Sequence, residues 1–226
     1  MRHSLRKNKT SRLSKVKKRT HNSKKKRACV TKFGKKLGLE DVPAFSNCNN
    51  SFKSDLNNFI NYKNENVLSG MQWQCVEYAR RYLITKLGVT FSSVNGAEDV
   101  FALKTVESIQ DGKKYKFKTY KNNFDCQRRN NMPKVNDVII WARNKNDTPY
   151  GHIAVILKVE GDNIYIGEQN WSNDAWTRSP PHSYSRILTL KTNNNRCSII
   201  DGNYKILGWK RASLKREMPI SLINSP

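Results

Sequence analysis

The stretch Gly70-Met-Gln-Trp-Gln-Cys-Val-Glu-Tyr-Ala-Arg-Arg-Tyr-Leu-Ile-Thr-Lys-Leu87 constrains this chain more than any other, because it sets one thiol where a helix should begin. Apolar residues recur at Val76, Ala79, Leu83 and Leu87, with Tyr78 and Tyr82 flanking the stripe, the spacing of an amphipathic helix. Gly88 is the expected C-cap, and Gly70 the expected sharp turn at the other end. Cys75 then lies in or just before the first helical turn. Unpaired N–H groups and the positive end of the helix dipole favour an anion there, and the thiolate is the nucleophilic form of cysteine. An apolar helix can equally bury an inert thiol, so the question is whether a base comes within reach.

With 226 residues, 37% hydrophobic content and five Trp, the chain has room for one domain with a sizeable core. Its charge is unevenly spread. Residues 1–39 hold 16 of the 42 Lys/Arg and no Asp or Glu, leaving 26 basic against 18 acidic residues in the remainder. Runs such as Lys15-Val-Lys-Lys-Arg19 repel themselves and bury nothing, so residues 1–38 are expected to be a basic, disordered tail and 39–226 the folded domain. Such a tail suits polyanions: nucleic acid, an import receptor or an anionic membrane surface. There is no apolar leader and no 18-residue apolar run, so no transmembrane segment is expected. The expected location is the cytoplasm or nucleus, with packaging in a virus particle as a variant. The five cysteines (29, 48, 75, 126 and 197) are odd in number, widely spaced and without a CxxC pair. They argue against a disulfide framework and against a zinc site.

Ser54–Ile60 is read as a short helix and Val89–Phe91 as a brief extended piece. A second short helix is expected over Ala97–Lys104 with Asn95 as its N-cap. Lys113–Tyr120 alternates Lys with Tyr, Phe and Thr and reads as an exposed strand or loop rather than a base-stacking platform, since such aromatics also suit an ordinary half-buried strand. Val138–Trp141 is a buried strand. Gly151–Asn170 reads as a β-hairpin whose register depends on its turn. A two-residue turn at Gly161-Asp162 sets His152 opposite Trp171. A three-residue loop, Val159–Gly161, sets it opposite Glu168, and only then do imidazole and carboxylate share a face within reach.

In that second register the chemistry assembles: a thiol at a helix N-terminus, a histidine base and a carboxylate that fixes the imidazole tautomer. His152 is the one histidine placed on a rigid element. His182 sits in Ser179-Pro-Pro-His-Ser183, a loop whose prolines exclude central-strand pairing, and His3 and His21 lie in the tail.

Gln74-Cys-Val-Glu-Tyr-Ala-Arg-Arg-Tyr-Leu83, then Gly151-His-Ile-Ala-Val155, then Gly167-Glu-Gln-Asn170 resemble the cysteine- and histidine-dependent amidohydrolase/peptidase (CHAP) family. The likeness is greatest to its glutathionylspermidine and trypanothione amidase branch. It implies a papain-like α+β fold with the nucleophile helix packed on an antiparallel β-sheet. It makes Cys75 the nucleophile, His152 the base and Glu168 the orienting carboxylate, with Asn170 as the rival orienter. The Gln74 side chain and the Cys75 N–H would hold the oxyanion, Arg80 and Asn170 would lie near substrate, and no cofactor or metal is called for. The implied substrate is a thiol–polyamine conjugate. The domain's positive charge favours a second branch, acting on peptidoglycan as amidase or endopeptidase. A third alternative is a basic nucleic-acid or particle-packaging protein with an inactive domain. Three departures stand out: a short Asp147–Tyr150 loop, a very basic 105–134 segment, and no synthetase half following, so a stand-alone hydrolase is expected.

Overall fold

The chain before Cys75 is a hairpin, not a helix. Asn58, Ile60 and Tyr62 turn inward with the two-residue period of a strand, and Lys63 and Asn64 both adopt positive φ (49° and 71°), which returns the chain on itself. Strands β1 (Asn57–Tyr62) and β2 (Glu65–Met71) result, replacing the helix expected over Ser54–Ile60. Gly70 lies inside β2, and the sharp turn falls at Met71–Gln74, where the Gln74 N–H donates to the Met71 carbonyl. Helix α1 then spans Cys75–Leu87 and ends on Gly88 in the left-handed conformation, with its N–H donating to the Ile84 carbonyl.

This computed structural model describes residues 28–38, 41–179 and 182–214. Most of the expected basic tail, with His3 and His21, falls outside them. The remaining strands are β3 (Val89–Thr90), β4 (Thr105–Ser108), β5 (Lys114–Lys121), β6 (Phe124–Asp125), β7 (Val138–Trp141), β8 (His152–Glu160), β9 (Asn163–Gly167), β10 (Thr177–Ser179), β11 (His182–Tyr184), β12 (Arg186–Asn193), β13 (Arg196–Ile200) and β14 (Ile206–Ser213). A 3-10 turn at Ala97–Ala102 stands where a second helix was expected, entered from Gly96 and not capped by Asn95. His182 begins β11, paired with Ser179 in a two-stranded hairpin; its side chain is not described.

Ten strands form one antiparallel sheet in the order β3-β4-β5-β14-β7-β8-β9-β12-β13-β6. Successive residues of β7 and β8 point to opposite faces, and both faces are covered. Tyr78, Ala79 and Leu83 of α1 bury Val138, Ile140, Ile153 and Val155, while Trp141, Ala154, Ile156, Ile164, Ile166 and Trp209 form the core on the other face. Among the described residues no helix is long and apolar enough to cross a membrane.

Further expectations need correction. The cysteines do pair: Cys29 with Cys48, Cys126 with Cys197, leaving Cys75 free. Spacing along the chain misleads because the fold joins distant segments; Cys197 on β13 lies opposite Phe124 of β6, two residues from Cys126. The odd count reflects two bridges and one thiol. The bridge at Cys29 also ties residues 28–38 to the rest. Leu37 is buried, and the N–H groups of Val30 and Leu37 donate to the carbonyls of Cys48 and Ala44, so the folded unit starts before residue 39.

The hairpin follows neither register whole. Glu160 pairs with Asn163 across a Gly161-Asp162 turn, but a bulge at Leu157 absorbs one residue, so that Ile156 faces Ile166 and Val155 faces Gly167. One residue of slip exchanges the two faces of a strand. Had the turn's register persisted, Glu168 would have pointed away from His152. With the bulge, it shares the face of Ala154 and His152.

Candidate active site

Cys75, His152 and Glu168 come from three elements: the first residue of α1, the first of β8, and the position just beyond β9. Glycines permit the approach. Gly151 has φ of 73°, and a Cβ on it would meet the Trp141 carbonyl oxygen at 2.8 Å. A Cβ on Gly167 would stand 2.6 Å from the Tyr78 hydroxyl, so α1 can lie against β9 only where there is no side chain. The motif pairs Gly-His and Gly-Glu are thus packing requirements beside chemical ones.

His152 and Glu168 are each only 2% exposed. Nε2 of His152 is 2.8 Å from Oε2 of Glu168, which leaves Nδ1 for the Cys75 thiol, a hydrogen-bond partner of the same ring. Burial alone lowers the imidazole pKa; hydrogen bonds to Cys75 and Glu168 outweigh it and push His152 up to about 9. Burial raises Glu168, but His152 and Arg186 hold it well below the usual carboxylate range. Its second oxygen, Oε1, accepts from Ser185 Oγ at 2.9 Å and from Arg186 Nε at 2.7 Å. Trp141 and Trp171 flank the His152 ring at 5.3 and 4.7 Å between centroids.

The other side of the thiol is built from amides. Asn170, with φ of 56°, donates through Nδ2 to Gln74 Oε1 at 2.8 Å. Gln74 Nε2 donates to the Phe52 carbonyl at 3.2 Å and to Asn47 Oδ1 at 3.4 Å. Buried Asn47 joins them, donating to the Phe52 carbonyl at 2.8 Å and to Asn170 Oδ1 at 3.0 Å, and accepting from the Trp73 N–H at 3.2 Å. Asn170 therefore belongs to the amide side, and it is Glu168 that bonds to His152.

Arg80 is elsewhere. Its guanidinium is buried and donates to the carbonyls of Ser69, Phe91 and Ser92, fastening α1 to β2 and to the chain after β3. Glu77 and Gln169, which flank the site in sequence, form a buried structural knot. Arg81 bonds to Glu77 at 2.6 Å and to Gln169 at 2.8 Å, and Gln169 donates to Glu77 at 2.9 Å. Asn47, Trp171 and Arg186 were not foreseen. Trp171, next to Asn170, was the one a nearby sequence signal could have indicated; Asn47 and Arg186 are brought in by tertiary structure alone.

The contiguous span that holds all three residues is also the one that matches a known family. Residues 66–170 match the CHAP domain. The chain is 28% identical over 142 residues to the glutathionylspermidine synthase of Crithidia fasciculata, covering 62% of this chain and 19% of that protein. It is 29% identical over 160 residues to the trypanothione synthetase of the same organism, covering 71% and 22%. Similarity to the bifunctional glutathionylspermidine synthetase/amidase of Escherichia coli is 27% over 142 residues, covering 62% and 22%. The chain thus spans about a fifth of the length of these relatives. The CHAP match supports a hydrolase acting on amide bonds. It ends at Asn170, so Arg186 and the loop that carries Asn47 lie outside it.

Proposed function

We propose that this chain is a papain-like cysteine amidase in which Cys75, at the start of a helix packed on the antiparallel sheet, is the nucleophile. The observation that carries this reading is the buried His152–Glu168 pair turned toward the single free thiol. His152 holds the thiol proton on Nδ1, as its raised pKa favours, and the sulfur attacks the amide carbonyl. Glu168 accepts from Nε2–H throughout, fixing the tautomer and balancing the imidazolium that forms. The oxyanion is held by the Cys75 N–H, free in the first helical turn, and by Gln74 Nε2, whose present bonds at 3.2 and 3.4 Å are long enough to exchange. His152 returns the proton to the departing amine, and water then hydrolyses the thioester.

The substrate reading follows the relatives' names: the amide of a glutathionylspermidine- or trypanothione-like conjugate. One observation favours a peptidoglycan peptide instead. Lys53 donates to the Tyr150 hydroxyl at 3.0 Å, joining the residue after Phe52 to the residue before Gly151 and setting a cation beside the amide side of the site. The test is to incubate the protein separately with glutathionylspermidine and with muropeptides, assaying spermidine release and new amino groups. Spermidine release at catalytic rates supports the first substrate, cleavage of muropeptides alone moves the assignment to the second, and cleavage of neither contradicts the amidase reading.

A further inference from the structure

Beyond the three residues of the proposed mechanism, a closed ring of interactions surrounds His152. Its Nε2 meets Glu168 Oε2 at 2.8 Å, and Glu168 Oε1 accepts from Arg186 Nε at 2.7 Å. Arg186 Nη1 continues to Asp201 Oδ1 at 2.6 Å, and Asp201 Oδ2 accepts from Trp141 Nε1 at 2.8 Å. The Trp141 ring lies beside the His152 ring, its neighbour in the β7–β8 ladder, which completes the circuit. Trp171 braces it from the side, with the Arg186 guanidinium 4.4 Å over its ring and His152 4.7 Å away.

The arrangement exceeds what a structural ion pair needs. A carboxylate with one oxygen on an imidazole can still turn about its terminal bond. Ser185 Oγ holds the other oxygen by one bond at 2.9 Å, but a planar guanidinium that reaches both oxygens, at 2.7 and 3.4 Å, and is itself pinned by a second carboxylate fixes the plane of the carboxylate as well. Arg186 stands opposite Ile166 on the sheet, so its side chain leaves the same face as Glu168. Asp201 balances its charge, so the pin adds no net charge beside the imidazole.

We infer that Arg186 is a positioning residue for His152, acting through Glu168 and held in place by Asp201 and Trp141. The inference rests on the amidase reading for its purpose, though not for its test. The titratable and charged groups around His152 are Cys75 from α1, Glu168 beyond β9, Arg186 from β12 and Asp201 after β13. If Arg186 fixes Glu168, its loss weakens the Glu168–His152 bond and returns the imidazole toward its ordinary value of 6.5, from about 9. If Arg186 acted only through its charge, removing a cation would move the imidazole the other way.

The experiment follows alkylation of Cys75 by iodoacetamide from pH 5 to 10, read by mass, in the wild type, Arg186→Gln, Arg186→Lys and Asp201→Asn. Melting temperatures are recorded in parallel. The wild-type profile should change as His152 titrates near 9, and in Arg186→Gln that step should move down by a pH unit or more. Turnover of any amide substrate should fall by up to about 10²-fold, the scale of a small misplacement of a catalytic group. Arg186→Lys keeps the charge without the fork and should shift the step in the same direction; Asp201→Asn should shift it less. A lower melting temperature with an unmoved step would overturn the inference, as would an upward step or full rescue by lysine. Should Arg186→Gln fail to fold, Asp201→Asn carries the same test. Absence of amide hydrolysis in the wild type would count against the amidase reading alone, because alkylation needs no substrate.

Discussion

On one side of the Cys75 thiol, His152 and Glu168 sit at strand ends of the large sheet, buried, with the carboxylate bonded through both oxygens. On the other side, Gln74, Asn170 and Asn47 sit in loops, and Gln74 and Asn170 are half-buried neutral amides that mostly satisfy one another. The difference matches the work proposed for each. Proton transfer needs one fixed geometry before and after substrate arrives, so its groups are held by charge and by a sheet. An oxyanion donor must be free when the tetrahedral intermediate forms, so its resting bonds must be exchangeable, and neutral amide pairs at 3.2–3.4 Å are.

Breaking the reaction at its centre should have the largest effect. Cys75→Ala removes only the sulfur and should abolish hydrolysis while leaving the melting temperature close to wild type; activity above a few per cent of wild type would remove Cys75 from the chemistry. Next comes the charged side. Glu168→Gln should lower turnover by about 10²–10⁴-fold, the usual contribution of general acid–base catalysis. It should also change stability against pH. His152 is raised from 6.5 to about 9, so the stability of its pair with Glu168 is complete below 6.5 and lost as pH rises through 9. Glu168 is lowered, so the same pair is retained above the ordinary carboxylate range and lost as pH falls below it. Melting temperatures from pH 6 to 10 should decline in the wild type and stay flatter in Glu168→Gln.

The amide side should be softer. Gln74→Ala should lower turnover by about 10²–10³-fold, the cost of one oxyanion donor, with KM little changed. The two disulfides then divide stability from function. Replacing Cys29 and Cys48 with Ser opens a bridge spanning 19 residues, worth about 3 kcal/mol by loop entropy, and loosens the loop that carries Asn47, so turnover should fall, though less than in Gln74→Ala. Replacing Cys126 and Cys197 opens a span of 71 residues and should destabilise more, about 4 kcal/mol, with turnover of the folded fraction unchanged. Equal turnover in both would mean the Cys29–Cys48 bridge does not support the amide side. The smallest effect is expected from deleting residues 1–27. Their basic sequence has little apolar surface with which to dock, so hydrolysis should be unchanged. Retention on duplex DNA should meanwhile lose its steep salt dependence, with the log–log slope falling by about 0.9 for every phosphate these residues would neutralise.

Local patterning made α1 and β7 legible, because each is decided by which residues face the core, and left β5 open between strand and loop. Register was less legible. The bond between His152 and Glu168 was anticipated from a three-residue loop, yet it arises from a two-residue turn corrected by a bulge at Leu157, and no residue near Leu157 announces that bulge. Asn58, Ile60 and Tyr62 carried a strand signal that the Asn-rich surroundings obscured. Cys29 and Cys48, Asn47 and Arg186 escaped for a common reason: their roles depend on segments brought together from far along the chain. Arg80 shows the converse, since a position matched to a motif is taken up here by three backbone carbonyls.

A covalent bond between substrate and Cys75 is the most direct sign of the proposed chemistry. Whichever substrate is turned over, glutathionylspermidine or a muropeptide, an acid quench within one turnover followed by intact-mass and peptide mapping should find the acyl half of that substrate attached to Cys75. The adduct should be absent in Cys75→Ala and accumulate more slowly in His152→Ala. Steady hydrolysis with no adduct, undiminished in Cys75→Ala, would contradict the thiol mechanism.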